Sequence, residues 1–324
     1  MKVLITGASG FIGTYIVKEL LDHGHVLHTI SRKKDYSIPN TKTFIGDITD
    51  ISSLKPAFEG VDTVIHNAAY ANDYGKDKRY YDFNVKGTQN IADLCVEHNV
   101  KHLLYTSTAG IYGFPNNTIP IKESDGATAK PFNEYGATKI ESEKLLEKYT
   151  NFKKTIIRPP MVFGAGGKPA LLLLSRIQQG KMAYIGRGEK KISVAHPADV
   201  ALCFRLALEK KQDGDFNVVS FYCSIQELVE QTAKKLKVPL PTKHIPFFIA
   251  YITGFFSEVF AKDEPSFTRF RAIKIGTNTR EIGTKPNHSK PRYHRYKNVL
   301  INKGVIAVTA ITVVQTQSID EGLY

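Results

Sequence analysis

Tyr135 and Lys139 stand four residues apart in the run Tyr135-Gly136-Ala137-Thr138-Lys139, inside a stretch that predicts a helix over Glu134–Tyr149. That spacing stacks both side chains on one helical face, one turn apart. A phenol with an ordinary pKa of about 10 is a poor acid or base at neutral pH unless a neighbouring cation favours its phenolate. A lysine ammonium supplies that field, and general acid–base catalysis works best when the pKa lies near the working pH. Glycines at 7, 10 and 13 add a second chemical signal, following the apolar run Val3-Leu4-Ile5 and opening a helical rhythm from Phe11 to Leu21. In such a strand–turn–helix, Gly7 allows the sharp turn and Gly10 lets backbone approach a pyrophosphate. Gly13 lets helix pack closely on strand. The N–H groups near Ser9, Gly10, Phe11, Ile12 and Gly13, with the positive helix end, then face the phosphates. A third stretch, Tyr105-Thr106-Ser107-Thr108, closes a predicted strand. Ligands of open parallel sheets bind at such strand ends, and a hydroxyl there can donate to a carbonyl oxygen as charge develops on it.

The elements needed to hold these residues alternate strand and helix. After the opening unit, strands are predicted at His25–Ile30, Thr41–Ile45, Thr63–His66, Lys101–Thr106 and Lys153–Ile157, with one long helix over Arg79–Glu97. That alternation predicts an α/β fold, a Rossmann-type doubly wound parallel sheet covered on both faces, over residues 1–165. The rhythm breaks after Arg158-Pro159-Pro160. A helix at Leu171–Gln179 and a turn-flanked strand at Ala183–Gly188 follow, while Pro197–Leu208 and Phe216–Val219 read as a return to the main sheet near 196–219. Residues 166–195 and 220–324 are left for a smaller C-terminal substrate lobe. Within it, Ile245–Phe260 is strongly apolar but short for a bilayer span. It reads as a buried lobe helix lining an apolar substrate pocket, with peripheral membrane contact as the alternative.

Composition narrows the class. Of 324 residues, 42% are apolar and 23% charged, which excludes a disordered or fibrous chain. Cys95, Cys203 and Cys223 have neither metal-ligand spacing nor an even framework, so they read as buried free thiols and no metal site is expected. The first strand starts directly after Met1, which leads us to expect a cytoplasmic protein. The net charge of +13 falls in the second half, since residues 1–150 hold 17 Lys+Arg against 18 Asp+Glu. Between 262 and 303 the count is 11 basic to 3 acidic. A basic tract suits nucleic acid, an acidic membrane surface or an anionic substrate. No nucleic-acid module accompanies it, so a solvated surface is expected rather than a nucleic-acid partner.

With these motifs in order, the sequence resembles the extended short-chain dehydrogenases/reductases. Thr6-Gly7-x-x-Gly10-x-x-Gly13, Gly46-Asp47-Ile48, Ile65-His66-Asn67-Ala68-Ala69, Asn84-Val85-Lys86-Gly87-Thr88, Thr106 to Gly113, Tyr135 to Lys139 and Arg158-Pro159-Pro160 to Phe163-Gly164 carry the likeness. The resemblance implies that Tyr135 is the proton donor or acceptor, and that Lys139 lowers its pKa and holds the nicotinamide ribose. It places the catalytic hydroxyl on Thr108, with Ser107 beside it. Asp47 and Ile48 would flank the adenine, Ala68 and Ala69 would floor the cofactor site, and Asn67 and Pro159 complete the cofactor set. A homodimer built from the helices at 79–97 and 134–149 is also implied.

Ser31-Arg32-Lys33-Lys34 follows the second strand, with no acid until Asp35. An acid there suits a ribose 2′-hydroxyl and an arginine suits a 2′-phosphate, so Arg32 favours NADP, with NAD as the alternative. Ile192-Ser193-Val194 replaces the Arg-Asp-aromatic run of sugar-nucleotide enzymes and resembles the 3β-hydroxysteroid dehydrogenase and dihydroflavonol reductase-like branch. The expected activity is hydride transfer between nicotinamide and a carbonyl or alcohol of a fairly apolar small molecule. Two alternatives stay open: a nucleotide-sugar epimerase or dehydratase, to which Lys190 and Lys191 could offer charge, and a non-catalytic NADP-sensing regulator. The regulator typically lacks the tyrosine that this chain keeps. Near the C-terminus, Ile282–Pro286 and Ser318–Leu323 echo the family ending, whereas Arg292–Thr316 has no counterpart in it.

Overall fold

A computed structural model describes residues 1–276 except 73, 76, 114–120, 128–130, 262–264 and 266. The expectations for 277–324, including the two echoes of the family ending, lie outside the described residues. The first half runs β1 (Lys2–Thr6), α1 (Phe11–Leu21), β2 (Val26–Ser31), β3 (Lys42–Ile45), α2 (Ile51–Leu54), β4 (Thr63–His66), α3 (Gly87–Glu97), β5 (His102–Thr106), α4 (Glu134–Glu147) and β6 (Lys153–Arg158). Then come β7 (Met161–Val162), α5 (Lys168–Gln178), β8 (Tyr184–Ile185), β9 (Lys191–Ala195), α6 (Pro197–Glu209) and β10 (Gly214–Asn217). The chain continues through β11 (Phe221–Ser224), α7 (Ile225–Leu236), β12 (His244–Ile245), α8 (Phe247–Phe260) and α9 (Arg269–Gly276).

Seven strands form one parallel sheet in the order β10-β6-β5-β4-β1-β2-β3. From β1 the chain winds outward to β3, then crosses back to place β4 on the other side of β1. The reversal opens a crevice at the carboxyl ends of β1 and β4, the place where doubly wound sheets bind ligands. Period-two alternation fills both faces. Leu4, Val64 and Leu103 pack with Ile91, Leu94 and Leu146 on one side, and Val3, Ile5 and Ile65 pack with Ile16, Leu20 and Phe204 on the other. The smaller unit is a three-stranded sheet, β11-β9-β7, whose Ile192 and Val194 share a core with Ile177 and Val229.

Five expectations need correction. The helix at Arg79–Glu97 is not uniform, because Tyr80–Lys86 winds as a π-helix before α3 begins. Asn84 gives the reason: its carbonyl accepts hydroxyls from Thr88 (2.5 Å) and Ser142 (2.8 Å), which draws it out of the regular ladder. The strand read at Ala183–Gly188 is only Tyr184–Ile185, paired with β12, and the last sheet strand is Gly214–Asn217 rather than Phe216–Val219. Of the three thiols only Cys95 is fully buried, and burial pushes Cys203 and Cys223 up to about 12.

The fifth concerns Ile245–Phe260, expected as a buried helix. It folds as a surface helix in which only Ala250 and Gly254 are buried. That small-residue stripe is the side that meets α9, where a Cβ on Gly254 would fall 2.6 Å from the Arg269 backbone nitrogen. Apolar residues recur around the rest of the circumference, so one packed side cannot cover them.

Candidate functional site

The glycine turn is built by backbone contacts that exclude larger residues. Gly7 has φ +66°, and a Cβ there would come 2.7 Å from the Ala68 backbone. A Cβ on Gly13 would come 2.1 Å from the Gly7 carbonyl oxygen. Gly10 and Ser9 are exposed, and Gly10 caps α1 with no side-chain hydrogen bond. The first N–H groups of α1, at Phe11, Ile12 and Gly13, therefore point out without a side-chain cap and fit an anionic diphosphate. Phe11 itself turns back against Gly167.

A run of hydrogen bonds ties this turn to the Tyr-Lys helix. Asn67 Nδ2 donates to the Gly7 carbonyl (3.1 Å), and Thr106 Oγ1 donates to Asn67 Oδ1 (3.0 Å). Lys139 Nζ donates to the Thr106 carbonyl at 2.8 Å. Ala68 anchors to the same place through its N–H on Thr6 Oγ1 (3.1 Å), and Ala68 and Ala69 are half-buried at the end of β4. Beneath them, a neutral His66 bridges Thr6 and Thr88; burial, helped by the Lys139 charge, holds it down at about 3.

Lys139 is 1% exposed, and the dry surroundings bring its ammonium down to about 7, against a lift from Glu143. Its second hydrogen bond goes to the Tyr105 hydroxyl (3.1 Å), a residue that sequence reading placed in the site strand without a role. The Tyr135 ring lies beside it, 5.8 Å from centroid to Nζ. Tyr135 is half-buried, and desolvation pushes its phenol up to about 12 rather than down. The expected lowering by Lys139 is thus absent in the protein alone, because the ammonium is bonded to Tyr105 and Thr106 instead.

Thr108 and Ser107 part ways. Thr108 is half-exposed, and its Oγ1 accepts the Gly110 N–H at 3.1 Å, which leaves its own O–H to donate to a ligand. Ser107 is 1% exposed and its hydroxyl donates to Glu143 Oε1, away from the crevice. Glu143 receives a bidentate Arg158 (3.0 and 2.6 Å), and Arg158 also reaches Asp215 (2.5 Å) and Tyr112 (3.1 Å). Ser107 therefore belongs to a buried ionic cluster behind the site. Glu143 lies four residues after Lys139, so the same helical spacing could have flagged it.

The remaining predicted residues divide similarly. Asp47 is half-buried, with its carboxylate accepting from Thr49 N–H and hydroxyl. Ile48 is buried, with its side chain against Gly87 and its carbonyl accepting from Asn90. Pro159 is buried and its carbonyl accepts from Ala109 (2.9 Å). Arg32 is exposed at the end of β2, with its guanidinium 5.5 Å from the Phe83 ring centroid. Among the described residues no His, Cys, Asp and Glu cluster suits a metal.

One prediction follows from Lys139. The unfolded chain holds this proton up to the ordinary 10.5, whereas the folded protein releases it near 7. Between those values the unfolded state binds more protons, so folding stability rises with pH. Urea midpoints of wild type and Lys139→Met should diverge in favour of wild type from pH 7 upward, by on the order of a few kcal/mol at most. A constant difference across that window would show that Lys139 is not desolvated.

Comparisons with known proteins agree with this architecture. A model of the NAD dependent epimerase/dehydratase family matches residues 3–219. An Escherichia coli N-acetyl-alpha-D-glucosaminyl-diphospho-ditrans,octacis-undecaprenol 4-epimerase is 28% identical, over 81% of this chain and 80% of that one. A 2-alkyl-3-oxoalkanoate reductase of Stenotrophomonas maltophilia is 29% identical, over 86% and 90%. The mouse sterol-4-alpha-carboxylate 3-dehydrogenase, decarboxylating, is 28% identical, over 85% and 82%. In fold, the structure resembles the Thermus thermophilus UDP-glucose 4-epimerase complex with NAD, with TM-score 0.66 and 24% identity over 76% of this chain and 86% of that one.

Proposed function

The chain belongs to the NAD-dependent epimerase/dehydratase family, and from that premise we propose that it is an oxidoreductase acting on an apolar 3-oxo or 3-hydroxy acid. The observation that carries this reading is the hydrogen-bond run from Gly7 through Asn67 and Thr106 to Lys139, which holds the Tyr135 helix against the dinucleotide turn. The nicotinamide, when bound, supplies or receives the hydride. Thr108 donates to the substrate oxygen, and Tyr135 delivers a proton to it as negative charge builds there. A phenol held at about 12 is fully protonated at neutral pH, the form that reduction requires. Lys139 stabilises the phenolate left behind.

The substrate class draws on two relatives. Both the 3-oxoalkanoate reductase and the sterol-4-carboxylate 3-dehydrogenase act at an oxygen-bearing carbon next to the carbon that carries a carboxylate. Each of those substrates joins an anion to an apolar body. A cleft of the small lobe, whose lining does not include Thr108 or Tyr135, pairs apolar Ile185 and Phe247 with Arg187, Lys190 and Glu189. A second reading, epimerisation of a sugar diphosphate, draws on the undecaprenol-linked relative and on the same two cations.

For the cofactor, Arg32 supports NADP over NAD through a planar donor fork for the 2′-phosphate. The deciding experiment follows NADPH and NADH absorbance with a series of 2-alkyl-3-oxo acids and, separately, UDP-sugars. Net loss of reduced cofactor with the oxo acids is expected. Conversion of a UDP-sugar with no net cofactor change would replace this reading with the epimerase one. Arg32→Asp should weaken NADPH about tenfold and leave NADH nearly untouched; equal losses would remove the phosphate contact.

A further inference from the structure

An ammonium has three protons, and the described residues take two of those on Lys139. One goes to the Thr106 carbonyl at 2.8 Å and one to the Tyr105 hydroxyl at 3.1 Å. Tyr105 is fully buried, and Nζ lies 4.5 Å from its ring centroid, so the phenol walls the ammonium in. The same phenol also meets the hydroxyls of Ser142 on α4 and Thr88 on α3. Both of those protons are directed elsewhere. Ser142 donates to the carbonyls of Asn84 (2.8 Å) and Thr138 (2.7 Å), and Thr88 donates to the Asn84 carbonyl (2.5 Å). What the two side chains offer Tyr105 is therefore a lone pair each, and the phenol proton goes to one of them. That fixes the phenol oxygen as an acceptor towards Lys139.

The direction of this chain of bonds originates in the π-helix, a distortion that recurs at functional sites. Over Tyr80–Lys86 it leaves the Asn84 carbonyl outside the regular ladder, open to two hydroxyls. Asn84 is itself buried and held by its side chain, which donates to the Tyr70 carbonyl (3.1 Å) and to Thr138 Oγ1 (3.0 Å). We propose that Tyr105 is a positioning residue for Lys139. Its oxygen, set as an acceptor by the Asn84 carbonyl through Ser142 and Thr88, holds the ammonium with its third N–H reserved for the Tyr135 phenolate. Nζ is tetrahedral, so once Cε and two hydrogen bonds are fixed the third N–H has a single direction. As Tyr135 gives up its proton, that N–H gains strength from the charge building on the phenol. The use of the third N–H rests on the oxidoreductase reading, whereas the hold of Tyr105 on Lys139 does not.

The titratable groups around Nζ are Tyr135 and Glu143 on its own helix, Tyr105 on β5 and His66 on β4. Burial pushes both phenols up and holds His66 down at about 3, so these three stay neutral around pH 7. Glu143 is paired with Arg158. The titration of Lys139 can therefore be followed by itself.

The first test needs no turnover. In the full-length protein without cofactor, labelled with carbon-13 lysine, the Lys139 resonance is the one missing from Lys139→Met. Its titration midpoint should lie at about 7. In Tyr105→Phe it should fall by about one pH unit, a tenfold loss of proton affinity, because the charged form loses a hydrogen bond. Phenylalanine fills the same space, so a role in packing alone leaves the midpoint where it was. That result, or a rise, overturns the proposal. Turnover supplies the second readout. The charged Lys139 is lost as pH rises past its midpoint, so kcat/KM for a 2-alkyl-3-oxo acid should fall there, and that limb should move down by a similar amount in Tyr105→Phe. A limb that stays in place overturns the role assigned to the third N–H. Absence of turnover with every oxo acid sinks the oxidoreductase reading, and the titration still decides the hold on Lys139. If Tyr105→Phe is too unstable to titrate, combining it with Lys139→Met should restore the urea midpoint of Lys139→Met, since no ammonium is left stranded. A pair as unstable as Tyr105→Phe alone assigns the phenol to packing and overturns the proposal.

Discussion

Tyr135→Phe is expected to lower turnover by about 10²–10⁴-fold while cofactor affinity stays within about twofold. The substitution removes one oxygen and keeps the ring that packs beside Lys139, so the walls of the crevice survive. Nothing between Gly7 and Lys139 in the hydrogen-bond run passes through the phenol. Single-turnover reduction of a 2-alkyl-3-oxo acid, with NADPH binding measured separately by fluorescence, reads the two quantities apart. Turnover retained within about fivefold would mean that another group supplies the proton. An equal loss in binding and turnover would mean that the phenol holds cofactor rather than handling a proton.

Glu143→Ala should be the most destabilising single change described here, at about 3–5 kcal/mol. Arg158 is 4% exposed, and it would lose both bonds to that carboxylate while still buried. Asp215 remains on the same guanidinium nitrogen, and its side chain is 37% exposed, which places the loss towards the lower end. Against a total folding stability of about 5–15 kcal/mol such a loss is severe. Replacing both partners, with Glu143→Leu and Arg158→Met, should recover most of it, since a well-packed apolar pair need not be worse than a buried ion pair. Urea unfolding of the three variants measures this directly. If the double variant is no better than Glu143→Ala alone, the stranded guanidinium is not the source of the loss.

Much of the sheet was legible in the sequence because its signals are local. Alternating Val3, Leu4 and Ile5, the glycines that follow, and the apolar runs at 63–66 and 102–106 each report their own strand or turn. The Tyr135–Lys139 spacing reports a shared helical face in the same way. What stayed hidden was carried by residues far apart in the chain. Tyr105 is 34 residues from Lys139, and Asp215 is 57 from Arg158, so no spacing rule connects them. Ile48 and Ser107 are buried while their chain neighbours Asp47 and Thr108 are only half-buried, a difference that the sequence alone does not record. α8 failed for a different reason: an apolar run does not record whether protein or something else will cover it. The π-helical start of the 79–97 helix depends on hydroxyls of Thr88 and Ser142 reaching one carbonyl, the second of them from another helix.

The position of β10 has a consequence for how the polypeptide is made. This strand comes after the small lobe's first elements, yet it completes the large sheet beside β6 and delivers Asp215 and Asn217 to Arg158 and Tyr112. At about 5–20 residues per second, a ribosome takes roughly 3–12 s to travel from Arg158 to Asn217. During that interval the nascent chain exposes an unprotected strand edge next to an arginine still short of one partner. The large sheet is therefore complete only once the chain has been made as far as Asn217.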